Sequence, residues 1–312
     1  MDMQRLGIYL VSLALTLGGY AARAAGDTKA ADLLAQARAA LGGESKLSKV
    51  QGLSASGTYQ REMGDRQITG EITIDFQLPD KMVRTDSMNP MGDATIVVLQ
   101  GVNGDQVLRH SRTIGGGPGM VVRMAPPAAG SDGEAQALRN QRADMARFAL
   151  AFLLTSPSAM PVEFTYGGEA EAPDNDVAKA DVVDAKGQGS FAARIFLDKK
   201  SHRPLMLQYR GAAPRIVMQT QRGGPPPAGN APQGRGDHEA PAGSGSSRTP
   251  PDAAAAPQIV DIQMFLDDYK SVDGVMLPHH ISRSIDGKPN EEWTFKTIKV
   301  NPAFKPDTFS GK

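Results

Sequence analysis

Three features of this 312-residue chain could do chemistry: the paired histidines His279-His280, the paired aspartates Asp267-Asp268, and the glycine run Gly115-Gly116-Gly117-Pro118-Gly119. A histidine beside a carboxylate can act as a general base, and a cluster of such groups can hold a metal ion. Both pairs fall in stretches that read as strands, Gln258 to Asp268 and Val275 to Ser284, where successive side chains point to opposite faces. One member of each pair is therefore expected to face water. One histidine and one aspartate joined across strands fall short of the three or more ligands that a metal needs, so no metal site is predicted. The glycine run lacks the Lys-Ser/Thr that completes a phosphate-binding loop and reads as a mobile loop. His110, His202 and His238 are scattered, and Arg235-Gly236-Asp237 lies in a low-complexity tract. The chain has no Gly-x-Ser-x-Gly, Ser-x-x-Lys, His-Glu-x-x-His or Walker signature. No catalytic residue and no cofactor is expected; a hydrolase built on His280 is the weakest of three functional readings.

The elements that carry these residues are mostly strands. Leu53, Ala55, Gly57 and Tyr59 alternate with polar partners, as do Ile68, Gly70, Ile72, Ile74, Phe76 and Leu78. Further strands are predicted at Lys81 to Asp86, Thr95 to Gln100, Gln106 to Ser111, Val162 to Tyr166, Ala178 to Asp184, Phe191 to Leu197, Pro204 to Tyr209, Arg215 to Gln221 and Glu291 to Val300. Turn residues between the early strands make them antiparallel neighbours in a meander. Two helices are expected. One is capped by Asp27 and carries the stripe Ala30, Leu33, Leu34, Ala37 and Leu41. The other opens on a Ser131/Glu134 capping box and shares Leu138, Met145, Phe148, Ala149 and Phe152 on one face, with Arg139, Arg142 and Arg147 on the wet side.

Composition bounds the function classes. Lys+Arg and Asp+Glu each number 34, so there is no basic excess to drive binding to nucleic acid, and nucleic acid is not an expected partner. The absence of cysteine removes disulfides, thiolate metal sites, thiol catalysis and any lipid-attachment cysteine. Residues 1–24 carry Arg5, an apolar run from Leu6 to Tyr20 and Ala22-Arg23-Ala24, the pattern of a cleavable signal peptide, so a periplasmic protein without a lipid anchor is expected. Residues 25–312 then form one domain. Its Pro/Gly/Ala-rich tract at 223–257 has no aromatic residue, is expected to be disordered, and reads as an insertion between strands.

The order of features resembles the LolA/LppX-like group of periplasmic lipoprotein and lipid carriers. The resemblance rests on Ala39-Ala40-Leu41-Gly42-Gly43-Glu44, on Leu53-Ser54-Ala55-Ser56-Gly57-Thr58, and on Leu197-Asp198 with Arg203-Pro204-Leu205. It extends through Asp273-Gly274-Val275-Met276-Leu277-Pro278 to Ile298-Lys299-Val300-Asn301-Pro302 and Pro306-Asp307-Thr308-Phe309. It implies an α+β fold: a large antiparallel curved sheet of about a dozen strands, a half-barrel, with helices covering its concave face. It also implies a non-enzymatic carrier for a lipid-like ligand or lipoprotein acyl chains, monomeric and meeting membranes transiently. The alternation then nominates Tyr59, Ile72, Ile74, Phe76, Ile262 and Met264 as the lining of the hollow, with Met145, Phe148 and Phe152 as its lid. The hollow could equally be a closed core, and then the same sheet would serve as a ligand-free envelope interaction or sensor module with a protein partner.

Overall fold

A computed structural model describes residues 27–64, 66–89, 94–115, 131–173, 179–213 and 258–311. The predicted signal peptide, the strand at Arg215 to Gln221, the tract at 223–257 and the glycine run beyond Gly115 lie outside these residues. The described chain opens with helix α1 (27–40) and a short turn of helix, α2 (Glu44–Leu47). Five strands follow: β1 (Gly52–Met63), β2 (Arg66–Gln77), β3 (Lys81–Met88), β4 (Ala94–Asn103) and β5 (Gln106–Gly115). After helix α3 (Ser131–Leu153) come β6 (Val162–Glu171), β7 (Lys179–Gly187), β8 (Ala192–Asp198), β9 (Pro204–Ala212), β10 (Ile259–Val272), β11 (Val275–Ile285) and β12 (Lys288–Val300).

All twelve strands form one antiparallel sheet in the order β5-β4-β3-β2-β1-β12-β11-β10-β9-β8-β7-β6. Each half is a meander, as the turn chemistry predicts. What joins the halves is a long-range pairing of β1 with β12, running from Leu53↔Val300 to Arg61↔Glu291 with a bulge at Ser56/Gly57. The free edges are consequently β5 and β6, the two strands that flank α3 in sequence. Twelve strands spaced about 4.8 Å apart place these edges about 53 Å apart along the sheet, whereas 23 helical residues reach only about 34 Å. The helix therefore covers part of that distance, and α3 crosses the concave side from β4 and β5 to β9 and β11.

Burial follows the strand period. Ile72, Ile74 and Phe76 of β2 face inward and join the inward residues of β10, Val260, Ile262, Met264 and Leu266, in one core that also takes in both long helices. The predicted stripe of α1 is buried throughout, although Asp27 is already helical rather than a cap. Arg147 departs from its predicted place on the wet side. Its guanidinium lies 4.0 Å from the centroid of the Tyr209 ring and 5.6 Å from that of Phe191, so this arginine faces the sheet. The outward face carries two small clusters, one of which packs Phe304 and Phe309 from beyond β12 against Val83, Leu99 and Leu108.

The junction of the halves is close. A Cβ on Gly57 would collide with the carbonyl oxygen of Thr294 and the Cα of Phe295, both backbone atoms of β12. Gly57→Val should therefore lower the unfolding free energy by about 1–3 kcal/mol or more. Urea unfolding reads this out, and an unchanged midpoint would mean that the β1–β12 contact is not what joins the two meanders.

Candidate functional site

The concave face has two chemically distinct parts beneath α3. The last three turns of α3 are buried on nearly every side, from Met145 to Leu154. Phe148 and Phe152 stack at 4.2 Å, Phe148 meets Phe76 at 5.4 Å, and Phe152 meets Phe295 edge-on at 6.1 Å. All nine nominated residues, Tyr59, Ile72, Ile74, Phe76, Met145, Phe148, Phe152, Ile262 and Met264, are buried in this one core, each no more than 5% exposed. With α3 in place they belong to one buried cluster.

Few polar bonds tie α3 down. At its C-terminal end Arg38 of α1 donates to the carbonyls of Leu153 (2.8 Å) and Leu154 (3.0 Å), which satisfies helix-end acceptors and sets a cation at the negative end of the dipole. Farther toward its N-terminus Arg142 donates to the Gly104 carbonyl (3.2 Å) and pairs with Asp105 in the β4–β5 turn.

The middle of α3, from Gln141 to Phe148, roofs a chamber of about 120 Å³. Ile74, Met82, Arg84, Gln100, Gln141, Asp144, Arg147, Phe148, Tyr209, Met264, Arg283 and Trp293 line it. Around its floor runs an ion network at inward strand positions. Glu291 accepts from Arg61 (2.6 Å), Arg84 (2.5 Å) and Arg283 (3.0 Å), and Asp86 accepts from Arg84 (2.7 Å) and Arg61 (3.0 Å). Register explains the meeting: Arg61, Glu291 and Arg283 are consecutive partners across β1, β12 and β11, while Arg84 and Asp86 reach over β2. Gly70, between them on β2, leaves room for the Tyr59 ring. The guanidinium groups of Arg84 and Arg283 lie 4.8 and 5.6 Å from the Trp293 ring, a cation–π arrangement.

Burial by itself would raise the Glu291 carboxyl, but the charges of Arg84, Arg283 and Arg61 overcome it and hold the group well below the usual carboxylate range. Burial likewise opposes the charge on Arg84, yet Asp86 and Glu291 keep it above the ordinary arginine value. Burial, reinforced by Asp86, pushes the Tyr59 phenol up to about 12, so it is neutral at physiological pH.

The sequence reading did not single out this network, although a signal existed. Met82-x-Arg84-x-Asp86-x-Met88, Tyr59-x-Arg61, Ile281-x-Arg283-x-Ile285 and Glu291-x-Trp293-x-Phe295 all place charges on the apolar parity of a strand.

Of the residues first considered for chemistry, His280 and Asp267 stand on the other side of the sheet. His280 pairs with Asp267 through Nδ1 at 2.8 Å, and both are solvent-accessible. His279 is buried and its Nδ1 lies 3.0 Å from the Leu277 carbonyl oxygen. The expectation that one aspartate of the pair would be covered fails: Asp267 and Asp268 are both exposed, because Asp268 takes a positive φ of 48° and interrupts the alternation. A wider depression of about 540 Å³ beside them, lined by Arg203, Leu205, Phe265, Asp267 and Tyr269, is open to solvent. Among the described residues no three His, Asp or Glu side chains stand close enough together to hold a metal ion. No described helix is long and apolar enough to cross a membrane.

No family model matches the chain, and no curated protein matches it. Solved structures do. The chain is similar to proteins of the LolA superfamily. A LolA superfamily protein from Nitrosomonas europaea aligns with 8% identity over 90% of this chain and 96% of its own, at a TM-score of 0.45. A DUF1329 family protein from Desulfovibrio piger aligns with 8% identity over 90% and 96%, at 0.43. A domain assigned by name only to outer membrane lipoprotein sorting, from Vibrio parahaemolyticus, aligns with 9% identity over 91% and 97%, also at 0.43. The twelve-stranded antiparallel sheet stands on the strand order and register described above, and similarities at these scores add nothing to it about ligand or partner.

The ion network yields a pH-dependent expectation. A carboxyl whose folded pKa is depressed stabilises the fold above its unfolded value, here about 4.5, and that contribution is lost as pH falls through the folded value. Glu291→Gln leaves buried guanidinium charge uncompensated and should cost about 3–5 kcal/mol at pH 7. The gap between variant and wild type should stay constant down to about pH 5.5 and narrow below about pH 4.5. Denaturant unfolding at a series of pH values measures it, and a gap that widens toward acid would contradict the assignment.

Proposed function

We propose that this protein is a non-enzymatic periplasmic carrier that takes up an acyl chain between α3 and the sheet. One observation carries the reading: α3, which with α1 packs on the apolar hollow, meets the sheet through side chains, and among the described residues the polar bonds that tie it down come from Arg38 and Arg142. Displacing it would bare Ile72, Ile74, Phe76, Ile262 and Met264 on the sheet and Met145, Phe148 and Phe152 on the helix.

A dozen buried methylenes return about 10 kcal/mol, and a passenger that covers the bared side chains again offsets the cost of displacing the helix. The residues nominated from the sequence as lining and lid keep those roles in this proposal.

A second reading, a ligand-free interaction module on the same sheet, is favoured by the burial of the nominated lining and by the small volume of the chamber beneath α3. The two differ in the passenger. Native mass spectrometry with lipid extraction on protein from the periplasm should show a heterogeneous apolar passenger for a carrier.

The single tryptophan, Trp293, is 6% exposed at the margin of the hollow and reports entry directly. Stearic acid brominated along its chain should quench Trp293 more strongly than unbrominated stearic acid, and Phe148→Glu should weaken the effect roughly tenfold. Equal emission with the two acids, together with a clean apo mass, would move the assignment to the interaction module.

A further inference from the structure

The chamber beneath the middle of α3 does not have the chemistry of an acyl tunnel. Its volume, about 120 Å³, is a few water molecules' worth and well below that of a drug-sized site. Its lining and floor are cationic. Of the network groups, Arg61, Arg84 and Arg283 face Asp86 and Glu291, and every one of these five side chains is at most 15% exposed. The Asp144 carboxylate, half in water, pairs with Arg147 and also acts on Arg283. Among these groups four guanidiniums thus meet three carboxylates, and one positive charge is in excess.

Hydrogen-bond accounting points the same way. Nε of Arg283, Nε of Arg147 and Nε1 of Trp293 are buried and have no partner among the described residues. All three are donors, and all three side chains line the chamber. What the chamber lacks is therefore an acceptor. Water could satisfy the donors, yet it would leave the excess charge in place, whereas a compact oxyanion would answer both. Neutral donors and acceptors from Gln100 and Gln141 are at hand to orient it.

We infer that the chamber lined by Arg84, Arg147, Arg283 and Trp293 is a binding site for a compact oxyanion, a carboxylate or phosphate group. Where the carrier reading holds, on which this placement of the group rests, the oxyanion is the head of the passenger. Phe148 and Ile74 border the chamber and also belong to the apolar part of the hollow, so a head held here has its chain directed beneath the C-terminal half of α3. The passenger is then an anionic single-headed lipid rather than a neutral one.

Three probes separate the sources of that oxyanion: dodecanoic acid, dodecanol of the same chain length, and inorganic phosphate, each titrated into the full chain at pH 7 by Trp293 emission and calorimetry. The acid should bind at least tenfold more tightly than the alcohol, and the ratio should fall as salt is raised. Arg283→Gln tests the site directly but disturbs the Glu291 network. Arg147→Gln, outside that network, should bring the acid-to-alcohol ratio toward one while the protein still unfolds cooperatively. Equal binding of acid and alcohol by the wild type would overturn the oxyanion site and leave the carrier standing. Phosphate binding that depends on Arg147, with neither chain bound, would support the site for a free anion and overturn the carrier. Binding of none of the three would overturn both.

Discussion

The pairing of β1 with β12 is the constraint on which the rest of this structure depends. It stitches the two meanders at their inner strands and so sends β5 and β6 to opposite ends of a twelve-stranded sheet. The chain between those two strands must then travel from one edge to the other. A single 23-residue helix contributes most of the described path, and it crosses the inward face from β4 and β5 to β9 and β11. Hollow, cover and chamber all follow from one pair of long-range neighbours and from the glycine that lets them approach.

Much of this was legible in the residues and some was not. The strand alternation located every described strand, because side chains with a period of two are insensitive to what the strand pairs with. The stripe of α1 and the apolar face of α3 were equally plain. The order of the strands was not, since nothing local in Leu53 or Val300 says that they are partners. Arg147 was misplaced for a related reason. Helical spacing assigns a face by hydrophobicity, and an arginine that stacks on Tyr209 belongs to the buried face by virtue of its aromatic contact. Asp268 escaped prediction because its positive φ breaks the alternation on which the reading relied.

The polar floor teaches a further point about reading sheets. Five charged residues sit on inward positions of β1, β3, β11 and β12, and each looks alone in sequence. Only the register makes them a network, with Glu291 at its centre accepting from three arginines. Buried ion clusters of this kind seldom contribute net stability over an apolar core of equal volume. Removing one partner is nevertheless costly, because it leaves an uncompensated buried charge.

The central position of β12 also governs the order in which the protein can be assembled. The strand that comes latest in sequence sits between β1 and β11, so the two meanders cannot join until nearly all of the described chain has emerged. Until then β1 offers an unpaired edge, and the inward faces of both meanders are uncovered. Contacts so distant in sequence slow folding and expose the nascent chain to aggregation. A protein wired in this way gains from being kept unfolded until it is whole, and it would fold in one late, cooperative step rather than strand by strand.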